Sequence, residues 1–181
     1  MSEQLLFNAE FRLAEDSDGR TIAGIAVPYD QISYNVPNAG GERFAQGSLT
    51  KTSKDLMAST KKKLKIFKSH EHRTAIGFAT LLNPDHPGGL WMEARIADTV
   101  EGNAALAEIN EGVLDSFSIG FRTIKDSYID GVRVINEAAL VEVSLVPLPA
   151  YDGAELVSVR HAFEPVRIPS MPNIPGWMRK I

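Results

Sequence analysis

A covalent nucleophile in this chain has to be a hydroxyl. Its 181 residues include no cysteine, which removes disulfides, thiolate zinc sites and thiol catalysis together. A serine hydroxyl is scarcely ionised at neutral pH and needs a base within reach, and histidine is the natural one. Four histidines are present: His70 and His72 end a run that reads as extended, His86 lies in the turn-like NPDHPGG, and His161 is near the C-terminus. Three stretches could then share the work of an acyl-transfer triad. KIFKSHEHRTAIGFA (65–79) would supply a base, EGVLDSFSIGF (111–121) a nucleophile and LVEVSLVPLPAY (140–151) an orienting carboxylate. Spacing alone does not select this over a second reading, in which His70 and His72 face one side of a strand and bind a metal with Glu71 or His86.

The elements that must position these groups are mostly strands. Apolar and polar residues alternate over 5–14, 21–27, 64–70 and 75–82, and residues 90–96 read as a further strand. Loops rich in Asn, Asp, Pro and Gly separate them at 38–41 and 83–89. Asp98, with Glu101 three residues on, predicts a helix start. Leu106, Ile109 and Val113 then fall on one helical face, and Gly112 is the stop signal. From Ser116 the alternation resumes, with Phe117, Ile119 and Phe121 opposing Ser116, Ser118, Gly120 and Arg122. Asp130-Gly131 marks a hairpin. Its second arm covers 132–135 and is followed by 138–146, where Val141, Val143 and Leu145 oppose Glu142 and Ser144. Gly120 is expected to leave room for a substrate backbone beside Ser118.

Length and composition fit one soluble domain: 44% hydrophobic and 23% charged residues exclude global disorder. A net charge of -4 with mixed signs speaks against nucleic acid as partner, and the run from Lys61 to Lys63 reads as a solvated loop. No apolar run is long enough to span a bilayer, and MSEQLLFNAEF lacks the layout of a signal peptide, so a cytoplasmic, membrane-free protein is expected. Pro165, Pro169, Pro172 and Pro175 interrupt regular structure near the C-terminus. The expected division is a folded domain over 1–160 and a Pro-rich tail over 161–181, flexible or self-processed.

Five blocks occur in order: GIAVPYD (24–30), ERFAQGSL (42–49), HEHRTAIG (70–77), SIGF (118–121) and EVSLVPLPA (142–150). Over roughly residues 5–155 this order resembles the tailed-phage prohead maturation serine proteases, a family related in fold to the herpesvirus assemblins. The resemblance implies a mainly β fold with flanking helices, a closed or nearly closed β-barrel of the herpesvirus-protease-like type. It implies Ser118 as nucleophile, His70 as general base and Glu142 as the group orienting His70, with no cofactor and no metal. His72 shares the face of His70, and Ser116 that of Ser118, so either could take its neighbour's part. Within ERFAQGSL, Phe44 and Leu49 are expected in the core and Arg43 in a salt bridge. The function implied is an endopeptidase that cuts the scaffold region of the phage major capsid protein, and itself, inside the assembling prohead in the host cytoplasm, with room left for a homo-oligomer. The alternatives are a capsid assembly or scaffold module without turnover, and the metal-binding barrel using His70 and His72.

Overall fold

The computed structural model describes residues 18–36, 40–154 and 156–160. In chain order the elements are β1 (Thr21–Pro28), β2 (Glu42–Phe44), α1 (Thr50–Ala58), β3 (Lys65–Lys68), β4 (Gly77–Asn83), β5 (Gly89–Ile96), α2 (Val100–Asn110), β6 (Ser116–Ile129), β7 (Val132–Val146) and β8 (Leu156–Arg160). All the strands join one sheet, ordered β2-β7-β3-β4-β5-β1-β8 with β6 also paired to β7. The expected strand at 5–14 and the Pro-rich tail lie outside the described residues. Among the described residues no helix is long and apolar enough to cross a membrane.

β7 organises the sheet. β6 runs antiparallel along one of its edges, while β2 and β3 pair parallel to it at two stations on the other, through Arg43↔Val134 and Phe67↔Ser144. The β6–β7 turn forms where the Asp-Gly pair predicts it. Asp130 and Gly131 both take positive φ, 51° and 82°, the geometry whose twist matches two right-twisted strands. β7 is one strand from Val132 to Val146 rather than two separate runs. A register shift between Gly120 and Phe121 puts one extra residue into β7 and turns Val141 outward, 52% exposed, although Val143 and Leu145 are fully buried.

The fold is mainly β with a few helices, as expected, but the closed or nearly closed barrel does not form. The sheet curls through 228° and stays open. Two backbone hydrogen bonds join the start of β6 to the segment entering β8, from Phe117 N–H to the Ala154 carbonyl and from Leu156 N–H to the Asp115 carbonyl, each 2.9 Å. Past that point β6 continues as a ribbon with β7 alone. The core gathers Ile22, Phe44, Leu49, Ile66, Met92, Phe117 and Leu145, all fully buried. α2 adds Ala105, Leu106 and Ile109 to it. The α2 cap is Thr99, whose Oγ1 accepts from Gly102 N–H at 3.1 Å. Asp98, the expected cap, instead pairs with Arg20 at 3.5 Å. Gly112, at φ 71°, ends the helix as expected. Its N–H donates to the Ile109 carbonyl and that of Val113 to Glu108, a Schellman arrangement that leaves Val113 outside the helix and exposed.

As expected, Phe44 and Leu49 are core residues and Arg43 pairs with Asp30. Glu42, on the same short strand, is 3% exposed. Its Oε2 accepts from Arg133 Nη1 at 2.9 Å and its Oε1 from the Tyr151 hydroxyl, so one carboxylate ties β2, β7 and the segment after β7. Burial, and then the bond to Glu42, hold the Tyr151 hydroxyl far above its ordinary range. A raised folded-state value gives stability that is complete below the unfolded value of 10.0 and is lost as pH rises above it. Tyr151→Phe should therefore cost about 1.5–3 kcal/mol at neutral pH, the worth of a hydrogen bond to a charged group. It should also flatten the alkaline loss of stability, and denaturant melts across the pH range check both.

Candidate active site

The β6–β7 register places Ser118 opposite Ser144 and Gly120 opposite Glu142. All four therefore share one sheet face, as the alternation predicts, with Phe117, Val143 and Leu145 in the core on the other. β3 lies beside β7 on its far edge, with Phe67 level with Ser144.

His70 reaches this face differently from expectation. β3 ends at Lys68, and His70 and His72 sit in the turn that follows, not at the end of a strand. Ser69 and His70 both adopt positive φ, 48° and 59°, a conformation that costs non-glycine residues about 1–3 kcal/mol each. Three bonds hold the turn there. Ser69 N–H donates to the Leu145 carbonyl at 2.9 Å, Glu71 N–H to that of Lys68 at 2.9 Å, and His70 N–H to Ser144 Oγ at 3.1 Å.

So placed, the imidazole bridges two side chains. Nε2 lies 3.0 Å from Ser118 Oγ and Nδ1 lies 2.7 Å from Glu142 Oε1. Glu142 Oε2 accepts from Ser144 Oγ at 2.9 Å. The structure brings Ser118, His70 and Glu142 together, from three elements, in the order hydroxyl, imidazole, carboxylate. The two ends of the series are buried and its centre is open: Glu142 is 3% exposed and Ser118 8%, while the His70 side chain is 44% exposed. With Nδ1–H donating to the carboxylate, Nε2 is left as an acceptor for the serine proton.

The two competing residues are near but differently engaged. Ser116 donates to Asp115 Oδ1 at 2.7 Å. His72 lies against the Phe67 ring, with centroids 5.1 Å apart, and its Nε2 is 3.8 Å from Glu142 Oε1. Candidate metal-ligand atoms of His70, His72 and Glu142 all lie within 4.8 Å of one another. Any ion held here would therefore take Glu142 as third ligand, not Glu71 or His86. His86 packs on Trp91 instead.

Two residues act here in ways the alternation does not reveal. Ser144 shares the face of Glu142, and the pattern alone assigns it no task. It is fully buried, accepts from the His70 backbone and donates to Glu142. A serine within the apolar run VSLV was the available signal, since a buried hydroxyl needs partners. Gly120 does not open a path for a substrate backbone. A Cβ there would lie 2.7 Å from Glu142 Oε1 and 3.0 Å from its Cγ, so the carboxylate occupies the space that the missing side chain leaves.

A serine hydroxyl, an imidazole and a buried carboxylate in series on a curled, mainly β sheet are the arrangement that serine hydrolases use. The chain belongs to the caudovirus prohead serine protease family, whose model matches residues 7–167. It is 36% identical over 104 residues to the prohead protease of Escherichia phage T5. That match covers 56% of this chain and 48% of the relative, so the chain spans about half the length of the curated relative it matches. The capsid assembly protease of bacteriophage T4 shares the fold, with a TM-score of 0.52 and 18% identity over 70% of this chain and 80% of that one.

Gly120→Ala should push the Glu142 carboxylate off His70 without disturbing the core. Misplacement by about 1 Å in such a relay costs on the order of 100-fold in rate. The expected result is that loss in kcat with a folded protein and little change in KM, measured on a peptide substrate.

Proposed function

We propose that this chain is a serine endopeptidase of phage head maturation, with Ser118 as nucleophile, His70 as general base and Glu142 as the residue that orients His70. The observation that supports this best is the imidazole bridging Ser118 Oγ and Glu142 Oε1. His70 Nε2 takes the Ser118 proton as Oγ attacks the scissile carbonyl carbon. The C–N bond then breaks as the same proton passes to the leaving amine. Water repeats the cycle on the acyl-enzyme, returning the hydroxyl to Ser118 and releasing the new carboxyl end. β6 has backbone N–H groups on its open edge beyond Phe117 to offer the developing oxyanion.

The substrates that go with this reading are the scaffold region of the major capsid protein and the chain itself, within the assembling prohead inside the host; the family membership supports a capsid protein as target. A protease enclosed with its substrate works at high effective concentration, so modest affinity suffices. The Pro-rich tail over 161–181 is the proposed place of self-cleavage. The alternative of an assembly module without turnover gains nothing from the geometry, since a scaffold has no use for a connected hydroxyl, imidazole and carboxylate.

Ser118→Ala should abolish cleavage of co-expressed capsid protein, a loss on the order of 10⁶ in rate by comparison with other serine proteases. Ser116→Ala should keep most of the activity, because that hydroxyl is turned to Asp115. Fragment masses read both variants, with melting temperatures as the control for folding. Full activity in folded Ser118→Ala would remove the assignment.

The proximity of His70, His72 and Glu142 supports one different reading, a metal centre. Under the proposed function zinc would engage the very groups that serve Ser118. Chelator should therefore leave cleavage intact and added zinc should inhibit it. Chelator inactivation reversed by zinc would favour the metal centre.

A further inference from the structure

Past the triad, a cavity of about 670 Å³ opens between the sheet and α1 with the loop that follows it. Lys61, Lys62, Lys63, Lys65 and Arg122 line it, against a single acid, Asp55. The cations come together from separate parts of the chain. Arg122 lies two residues beyond Gly120 on β6, and Lys65 two residues before Phe67 on β3. The outward-turned Val141 contributes to the lining directly before Glu142 on β7. Each of the three strands carrying or flanking the triad thus supplies the cavity one step further along.

None of these five cations has an anionic partner within salt-bridge distance among the described residues. Lys63 rests over the Phe78 ring, 3.9 Å from its centroid. The other like charges along this concave space raise its potential and concentrate anions there. A lysine run alone would be an ordinary solvated loop. Its convergence with Lys65 and Arg122 beside Val141 is what gives the cavity a character of its own.

We propose that this cavity is a substrate subsite that takes a carboxylate side chain of the peptide being cut, so that the enzyme prefers acidic sequence on one side of the scissile bond. The inference rests on the triad reading above. Ser118 and Arg122 are four residues apart on β6; at about 3.3 Å per residue, an extended substrate places its acidic residue about four positions from the cut. The occupant is part of the peptide that Ser118 attacks, so the anion it can bring is a carboxylate side chain.

The test uses the full chain and short synthetic peptides in which Glu is walked away from the cut, each with its Gln counterpart. At low salt the wild type should show a kcat/KM about tenfold higher for Glu at the matching position, as one charge-assisted contact supplies. Replacing Lys61→Gln, Lys62→Gln and Lys63→Gln together with Arg122→Glu should abolish that preference while leaving cleavage of the Gln peptide unchanged. In the Ser118→Ala background, anisotropy of the labelled peptides reads binding without chemistry. There too the Glu peptide should bind more tightly, and the cavity substitutions should remove the difference.

Equal binding of Glu and Gln peptides to Ser118→Ala, or a preference that survives the substitutions, overturns the subsite. Cavity-dependent binding of a thymidine oligonucleotide that exceeds binding of the Glu peptide also overturns it, in favour of a phosphate ligand. Binding through the lysines by a protein whose wild type cuts neither peptide supports the subsite and rejects the triad reading instead.

Discussion

Glu142 is a carboxylate buried in the middle of a strand, and much of the site follows from what that requires. An ionised carboxyl removed from water costs several kcal/mol unless hydrogen bonds replace its hydration. Here the replacements are His70 Nδ1 on one oxygen and Ser144 Oγ on the other. Ser144 then uses the same oxygen to accept His70 N–H, so the group that satisfies the acid also anchors the turn carrying His70. Gly120 completes the enclosure by giving up the volume that the carboxylate fills. A one-residue slip of β7 would turn Glu142 into the core and Val143 outward, which makes the β6–β7 register strongly specified.

Much of this arrangement was legible in the sequence because period-two alternation fixes faces. Ser118 and Glu142 had to lie opposite Phe117 and Val143, and the Asp-Gly pair fixed where β6 and β7 meet. Alternation fails where the backbone departs from the regular pleat. The extra residue in β7 reversed the parity of Val141, and the two positive-φ residues after Lys68 removed His70 and His72 from the strand to which the pattern assigned them. The pair Ser69-His70 carries no glycine or asparagine to announce that conformation, and histidine's modest tolerance of positive φ is too weak a signal to set against the alternation. The helix cap slipped by one because Asp98 and Thr99 are both capping types, and the nearby Arg20 guanidinium attracts the aspartate. Closure of the barrel was a global property. It depended on how far β6 follows β8, which no local pattern encodes.

The strained turn and the buried acid balance each other. Two residues at positive φ cost about 1–3 kcal/mol each, and they persist because three backbone donors and the His70 ring are all engaged when the turn is in place. The imidazole is consequently held from its backbone and from Nδ1, while Nε2 remains on the open side facing Ser118. That division suits a proton carrier. Under the proposed function, the ring is fixed through the buried carboxylate and still offers Nε2 to the Ser118 hydroxyl.

The same constraint separates two histidines that composition treats alike. Both ring systems lie near one carboxylate oxygen, at 2.7 Å for His70 and 3.8 Å for His72. One oxygen lone pair directed at His70 Nδ1 leaves His72 beyond hydrogen-bond distance. His72 rests against Phe67 with its side chain 64% exposed, and no bond draws it toward Ser118. Exchanging the two would require the turn to move His72 inward and give up the His70 N–H bond to Ser144, and with it the link between base and acid. Proximity to Glu142 is shared by both imidazoles, but the backbone anchor on Ser144 belongs to His70 alone, and that anchor is what puts a ring nitrogen within 3.0 Å of Ser118 Oγ.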